Sequence, residues 1–423
     1  VALGGMVDPA ATNAITIGAS QAMAPGTVAI GNSSVAGGTG GSVAIGGAVA
    51  IGNSSLSLGY GGGTLLTTSM GDYSLAMVGG TSNGVSSVAI GQSAGSGSVA
   101  MGQNSIAMGG GNASGNGALA LGQSAAAGNS SFATPYGSAG ADYSVALGGM
   151  VDPAATNAIT IGSGFANAPS SVVIGGGYAS GAASVCIGFG ASTGGDYSMA
   201  FGHGASTGVH TGSTIICDYT FSPAIGTLAF TSNDADNQMM MRFDGGYKLF
   251  SNADATVGTQ LAPGSNAWST ISDRRKKENF EVVDGEAFLK RIAKMELTSW
   301  NYKGQDPKLH RHYGPMAQDF YAAFGHDKYG TVGNDTTINQ ADMDGVSFVA
   351  IQALEQRTTQ LLARIAELEN ANKSLTSEKD ALKAELTTKT QALSNENTAL
   401  RTELMERMLQ IENELRKTKT AGK

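Results

Sequence analysis

The chain has 423 residues, a net charge of −8 and 62 Gly, and it is too long to be read as one compact core. Residues 1–271 hold ten Asp, no Glu, one Lys (Lys248) and one Arg (Arg242), so this part alone carries −8; the totals of 25 basic and 33 acidic residues leave 23 of each for 272–423. The first part would repel a polyanion, which argues against a nucleic-acid partner, and no apolar run approaches the roughly 18–20 residues of a membrane-spanning helix.

From the N-terminus the chain repeats an apolar–small–apolar–Gly tetrad. It occurs as Val1-Ala2-Leu3-Gly4, Val28-Ala29-Ile30-Gly31, Val88-Ala89-Ile90-Gly91, Val99-Ala100-Met101-Gly102, Leu119-Ala120-Leu121-Gly122 and Met199-Ala200-Phe201-Gly202, usually 13–14 residues apart. In a strand, the first and third side chains face one way and the second the other. The Gly allows a positive-φ turn or close backbone packing. One such strand cannot bury its apolar face alone, but stacked coils can, so 1–210 is predicted to be a β-solenoid. Val1 to Gly18 recurs residue for residue at Val145 to Gly162. Two stretches depart from the tetrad, Leu56-Ser57-Leu58-Gly59-Tyr60 and Phe132 to Tyr143, and are expected to be longer loops. Cys186 and Cys217 are expected to be buried free thiols.

Residues 211–271 read as an antiparallel β neck. Thr214 to Cys217 and Thr227 to Phe230 have strand composition, and Met239 to Phe243 followed by Asp244-Gly245-Gly246 and Tyr247 to Phe250 suggests a hairpin. Beyond it, Glu286 to Met295 has helical spacing at Phe288, Leu289, Ile292 and Ala293. From Asp344-Gly345 onward a heptad runs through Ile351, Leu354, Leu361, Ile365, Leu368, Leu375, Leu382, Leu386, Leu393 and Leu400. It continues through Leu404, Met408, Ile411 and Leu415 after a register shift, with Asn372 and Lys379 at core-type positions and no Pro or Gly before Gly422. That pattern predicts a coiled coil.

Chemistry concentrates at the change of composition, Ser272-Asp273-Arg274-Arg275-Lys276-Lys277-Glu278-Asn279. A serine nucleophile needs a base, and a lysine serves when its ammonium form is disfavoured, as crowding by like charges does. Either Lys276 or Lys277 meets that description; the bland alternative is a solvated basic turn. No cofactor or metal is expected. The Gly-rich stretches, such as Gly37 to Gly41, lack the Gly-Lys-Ser/Thr ending of a phosphate loop. His310-Arg311-His312 is read as structural or solvent-facing. Without Glu, 1–271 has no carboxylate pair of the usual glycosidase kind.

The tetrads and their spacing resemble the head repeats of YadA-like trimeric autotransporter adhesins, which implies a left-handed parallel β-roll assembled as a trimer. Ser272 to Phe280, with Trp300-Asn301-Tyr302-Lys303, Gly314-Pro315-Met316-Ala317-Gln318-Asp319-Phe320 and Asp344-Gly345-Val346 followed by Ala350 to Leu354, resembles the intramolecular-chaperone auto-processing domain of endosialidase-type phage tailspikes and tail fibres. That resemblance implies a domain that trimerises, guides folding of the fibre ahead of it and cuts itself off. Ser272 would then be the nucleophile, Lys277 the general base and Ile271–Ser272 the scissile bond. Lys276 stands where the family usually has an apolar residue, which leaves a shared or exchanged role for the two lysines.

The expected fold class is mainly β with an α-helical C-terminus. It comprises a trimeric left-handed β-roll solenoid (1–210), a β neck (211–271), a small α+β chaperone domain (272–345) and a long coiled-coil helix (346–423). The expected function is host-surface attachment by a homotrimeric phage tail fibre, extracellular on the virion tail. The alternatives are a bacterial trimeric surface adhesin with the same chaperone, or a fibre that does not cleave. Expected partners are two further copies of the chain, a host cell-surface receptor with glycans among the candidates, and other virion tail proteins through a segment preceding Val1. Neither nucleic acid nor membrane insertion is expected. Receptor contacts are sought first in the stretches 60–74 and 129–143.

Overall fold

A computed structural model describes residues 1–59, 65–93, 96–222, 227–228 and 230–420. Residues 60–64 of the stretch 60–74, Ala229 of the expected strand and Gly422 therefore lie outside the described residues. The chain divides into two compact units, Val1–Ile271 and Ser272–Lys423.

The first unit is built on a solenoid of two parallel sheets. A 17-stranded sheet runs from Ala2–Leu3 to Met239–Arg242, and a 16-stranded sheet from Met6–Val7 to Thr231–Ser232. The chain alternates between them, so each coil adds one short strand to both. Register follows the repeat: Val28, Ala29 and Ile30 pair with Val43, Ala44 and Ile45, and Val145, Ala146 and Leu147 with Ile159, Thr160 and Ile161.

After the first coil, whose Ala2 is exposed, the second residue of the tetrads points inward. Ala29, Ala44, Ala89, Ala120 and Ala146 are wholly buried, while the flanking Val, Ile and Leu are only half-buried or exposed. Stacking thus buries the small-residue line and leaves the larger apolar face outward, because the space between the sheets holds little more than Ala, Ser and Thr. Buried serines close the turns: the Oγ of Ser131, Ser144, Ser171, Ser184 and Ser198 each donate to the carbonyl three residues back at 2.6–2.7 Å. This satisfies hydroxyls that would otherwise be costly inside. Cys186 and Cys217 are buried and unpaired, and burial pushes the Cys186 thiol up to about 11. Cys186 fills the tetrad's inward place.

Glycines allow adjacent coils to touch. Gly52, Gly71, Gly84, Gly102, Gly115 and Gly128 form a row in which a Cβ on any member would run into a carbonyl of the next coil. A second row is the positive-φ corner before each strand of the larger sheet, held by Ser86, Asn104, Ser130, Asn157 and Ser170 among others. Each corner N–H donates to a carbonyl one coil earlier, as from Ser86 to Asp72, Ser130 to Asn116 and Ser170 to Thr156, at 2.7–2.8 Å.

Three expectations are corrected. Leu56–Leu58 and Phe132–Ala133 are regular strands of the larger sheet, and Thr68–Ser69 and Ser138–Ala139 of the smaller. The stretch from Phe132 is therefore a side-chain substitution on an unchanged coil, and 129–143 is no irregular loop; Leu56 instead pairs with Leu75, 19 residues on, so that coil has the extra length expected of it. The parallel ladders do not stop near 210: Thr214–Cys217 pairs with Met199–Gly202, and Met239–Arg242 pairs in parallel with Thr214–Cys217. The expected Met239–Phe250 hairpin is accordingly absent; Tyr247–Phe250 turns instead to pair antiparallel with Gly258–Leu261. The Asp-Gly-Gly segment marks the exit from the last coil. The inward residue grows toward that end, from Ala200 to Ile215 to Met240.

Arg242, the solenoid's single arginine, closes the last coil. Its Nη1 lies 3.1 Å from Asp218 Oδ1, and its Nη2 donates to the Asp218 carbonyl at 3.0 Å. Burial raises the Asp218 pKa, but the Asp244 N–H, the Thr220 hydroxyl and Arg242 outweigh it, and the carboxyl sits below its usual value. A depressed folded pKa gives stability that is present above the unfolded value, about 4, and lost as pH falls through the folded one. Melting curves across that acid range should therefore fall more steeply for the wild type than for Asp218→Asn, which is less stable at neutral pH and insensitive there. Parallel curves would remove this pair from the acid response.

The second unit begins with a 3₁₀ turn, Arg274–Lys276, followed by helix α1 (Gly285–Ile292). A hairpin of Thr298–Trp300 and His312–Gly314 precedes α2 (Ala317–Phe324) and α3 (Gln340–Thr420). Asp284 caps α1 by accepting from Ala287 N–H at 3.1 Å, as a short acidic N-cap should. Phe288, Phe320 and Phe324 make the small core, with ring centroids 4.9 and 5.4 Å apart. Gly285 packs on Ala353, and Arg357 grips Glu286 in a bidentate pair at 2.7 and 2.6 Å. His312 stacks on Trp300 at 4.6 Å, which gives that imidazole a packing role. Helix α3 spans 81 residues and buries only Ala350 and Ala353 within the chain; its heptad leucines all stand exposed. No described helix is long and apolar enough to cross a membrane.

Candidate functional site

The division between the units falls at Ile271 and Ser272. On the N-terminal side the backbone is held as strand. Ser269–Thr270 pairs antiparallel with Thr259 and Gln260, and Ile271 N–H donates to the Gly258 carbonyl at 3.1 Å.

On the C-terminal side the chain folds back. Asp273 is the N-cap of the 3₁₀ turn, and its Oδ1 accepts from Arg275 N–H at 2.9 Å. The Arg275 guanidinium also grips the Asp273 carboxylate, Nε at 3.1 Å and Nη2 at 2.7 Å. These contacts hold the Asp273 carboxyl below the usual range, the Arg275 side chain first and its N–H second. Lys276 and Lys277 N–H donate to the carbonyls of Asp273 and Arg274 at 3.0 and 3.2 Å, closing the turn.

Closure has a consequence for reach. Five residues in extended form span roughly 17 Å, far beyond a lysine side chain; a 3₁₀ turn rises only about 2 Å per residue. With the turn closed, Lys277 Nζ donates to Ser272 Oγ at 2.6 Å. Both side chains are exposed. Lys277 is thus the lysine that meets the serine. Lys276 acts on Asp273, where its charge helps to lower the pKa, and Arg274 lies over the Phe280 ring at 4.7 Å. Sequence reasoning paired the serine with one of two lysines and read Arg275 only as one of the crowding cations, but gave no role to Asp273; the signal was an Asp immediately before a turn, the ordinary N-cap pattern. An amine in hydrogen-bond contact with a hydroxyl is the pairing of a base with a nucleophile.

A parallel β-solenoid, followed by a separate α+β unit ending in a long helix, defines a fibre-like protein with an appended folding module. Residues 272–327 match the family model described as chaperone of endosialidase, and the match begins at the residue where the second unit begins. The chain thus carries an intramolecular chaperone of the endosialidase kind. No curated protein matches the chain.

Proposed function

We propose that the chain is part of a homotrimeric, receptor-binding tail fibre whose C-terminal module aligns three chains for folding and then releases itself by cleavage between Ile271 and Ser272. The observation that carries this reading is the Lys277–Ser272 contact at the junction of the two units.

In the proposed reaction, the neutral Lys277 amine accepts the Ser272 hydroxyl proton while Oγ attacks the Ile271 carbonyl carbon. The resulting adduct breaks its C–N bond, and the lysine returns the proton to the departing Ser272 amine. This leaves Ile271 as an ester on Ser272 Oγ. Water then hydrolyses the ester, giving an Ile271 carboxylate and the free serine hydroxyl. No external cofactor enters the balance.

The outward apolar surfaces support assembly. Half-exposed Val, Ile and Leu line the larger sheet on coil after coil, and the α3 heptad leucines are more than half exposed or nearly so. Both are surfaces that copies of the chain would cover. A solenoid buries much the same surface when chains are slipped by one coil, so register is a slow, non-local problem. A C-terminal coiled coil would fix it by holding the chains together at high effective concentration. Refolding tests the chaperone role: denatured full-length Ser272→Ala should return to a trimer by light scattering, whereas denatured 1–271 should not. Equal recovery of the two would refute the role.

The cap geometry makes a further prediction. Asp273→Ala removes the acceptor that closes the turn and should slow self-cleavage about fivefold, from a cap worth ~1 kcal/mol, while Asp273→Asn keeps an acceptor and most of the rate. Time courses on denaturing gels distinguish the two; equal rates for all three proteins would leave Asp273 without a part.

A further inference from the structure

The corner row of the solenoid contains an anomaly. Most of its positive-φ places are held by Ser, Asn or Gly, which tolerate that backbone region or are common in it. Three are held by tyrosine: Tyr73, Tyr143 and Tyr197, with φ of 56°, 58° and 56°. A bulky side chain is uncommon there and costs backbone free energy. These rings recover nothing by burial within the chain, since they are 64–69% exposed.

Their surroundings are the same each time. Each sits in Gly/Ala-Asp-Tyr-Ser: residues 71–74, 141–144 and 195–198. The Ser hydroxyl donates to the carbonyl three residues back. The Asp Oδ1 accepts a backbone N–H one coil earlier, from Asn53, Asn129 and Ala182 respectively, at 2.7–2.8 Å. The tyrosine N–H donates one coil earlier as well, to Asn53, Asn129 and Ala182. The Asp, the Ser and the tyrosine backbone all serve the coil. The tyrosine ring does not, and Ser86, Ser130 and Ser170 show that the coil closes without it.

We infer that Tyr73, Tyr143 and Tyr197 form a row of binding sites for an extended, uncharged glycan; the inference rests on the receptor-binding reading and supplies its residues and ligand class. Tyrosine offers a flat apolar face at low entropic cost with a polar tip, which suits the C–H face of a pyranose. The neighbouring carboxylates of Asp72, Asp142 and Asp196 accept from sugar hydroxyls. Within 1–271 there are ten Asp against one Lys and one Arg, a balance that disfavours an anionic polymer. Corner by corner along the row, Tyr73 and Tyr143 are five coils apart and Tyr143 and Tyr197 four. At about 4.8 Å per strand these intervals are roughly 24 and 19 Å. Equivalent sites at such intervals fit a ligand that is itself repetitive, and weak single contacts then add through multivalency.

The triple variant Tyr73→Ser/Tyr143→Ser/Tyr197→Ser places the row's own residue at each corner. Its melting temperature and assembly state should equal or exceed those of the wild type. On a printed array of neutral, sialylated and sulfated oligosaccharides, the wild type should bind neutral members, and the variant should bind them at least about tenfold more weakly. A fall in melting temperature or loss of assembly would overturn the inference and make the row a contact between chains. Preference for charged glycans, or no glycan bound by the wild type, would overturn the ligand class. Undiminished binding by the variant would overturn the assignment of residues while leaving the receptor-binding reading in place.

Discussion

Ser272→Ala and Lys277→Ala should each leave the full 423-residue chain intact, whereas the wild type should be recovered as two pieces meeting at Ile271 and Ser272. The effect is close to all-or-none because the two side chains act on one proton: without Oγ no ester forms, and without the amine the hydroxyl keeps its hydrogen. A single remaining partner should be slower by several orders of magnitude, as when one member of a nucleophile–base pair is lost. Lys277→Arg should fail as well, since a guanidinium stays protonated and cannot serve as base. Intact mass of the three proteins decides the matter. A whole wild-type chain, or cleavage that persists in Ser272→Ala, would remove the dyad.

The second large effect lies in the solenoid wall. Gly115→Ala adds one methyl, which would be driven into the carbonyl of Gly128 on the next coil. That neighbour is backbone in a continuous ladder, so it has no rotamer to yield. The strain must spread through both coils, and a loss of about 3 kcal/mol or more is expected, at the upper end of overpacking costs. Gly245→Ala is the matched control: a Cβ there meets nothing within 4 Å, and the change should stay within about 0.5 kcal/mol. Thermal melting of the two variants beside wild type tests this, and equal melting temperatures would mean that the coils are spaced more loosely than the glycine row implies.

The tetrads made the solenoid legible because an apolar–small alternation followed by Gly fits a half-buried strand and a tight corner. They did not reveal which sheet each unit joins. Val99-Ala100 lies in the smaller sheet and Val88-Ala89-Ile90 in the larger, because both sheets ask for a small residue facing inward. Met239–Arg242 was misread for a related reason. Its inward Met240 breaks the small-residue rule, and Asp-Gly-Gly is equally good at leaving a coil and at turning a hairpin. Leu56-Ser57-Leu58 keeps a small inward residue, Ser57 being as buried as any alanine, and what departs there is coil length, 19 residues to its partner Leu75. At the candidate site, spacing pointed to Ser272 with either Lys276 or Lys277, the resemblance implied Lys277, and neither says whether the chain is folded or extended. The Asp273 cap supplies that information, and it is a three-dimensional fact. Tyr73 and Tyr143 lie inside the stretches 60–74 and 129–143, but the positive φ that sets the tyrosine corners apart leaves no trace in composition.

The narrow interior has a bearing on evolution. Since nearly every coil encloses the same line of small residues, the cross-section does not depend on how many such coils there are. The 17 strands of the larger sheet set a span of about 77 Å at ~4.8 Å per step. Gain or loss of one 13–14-residue unit would change that reach by a single increment, with both ends and the folding module untouched. The identical segments Val1 to Gly18 and Val145 to Gly162 are the trace such copying leaves. The gene therefore acts as a ruler: reach can be adjusted in fixed increments, while the surface chemistry drifts independently.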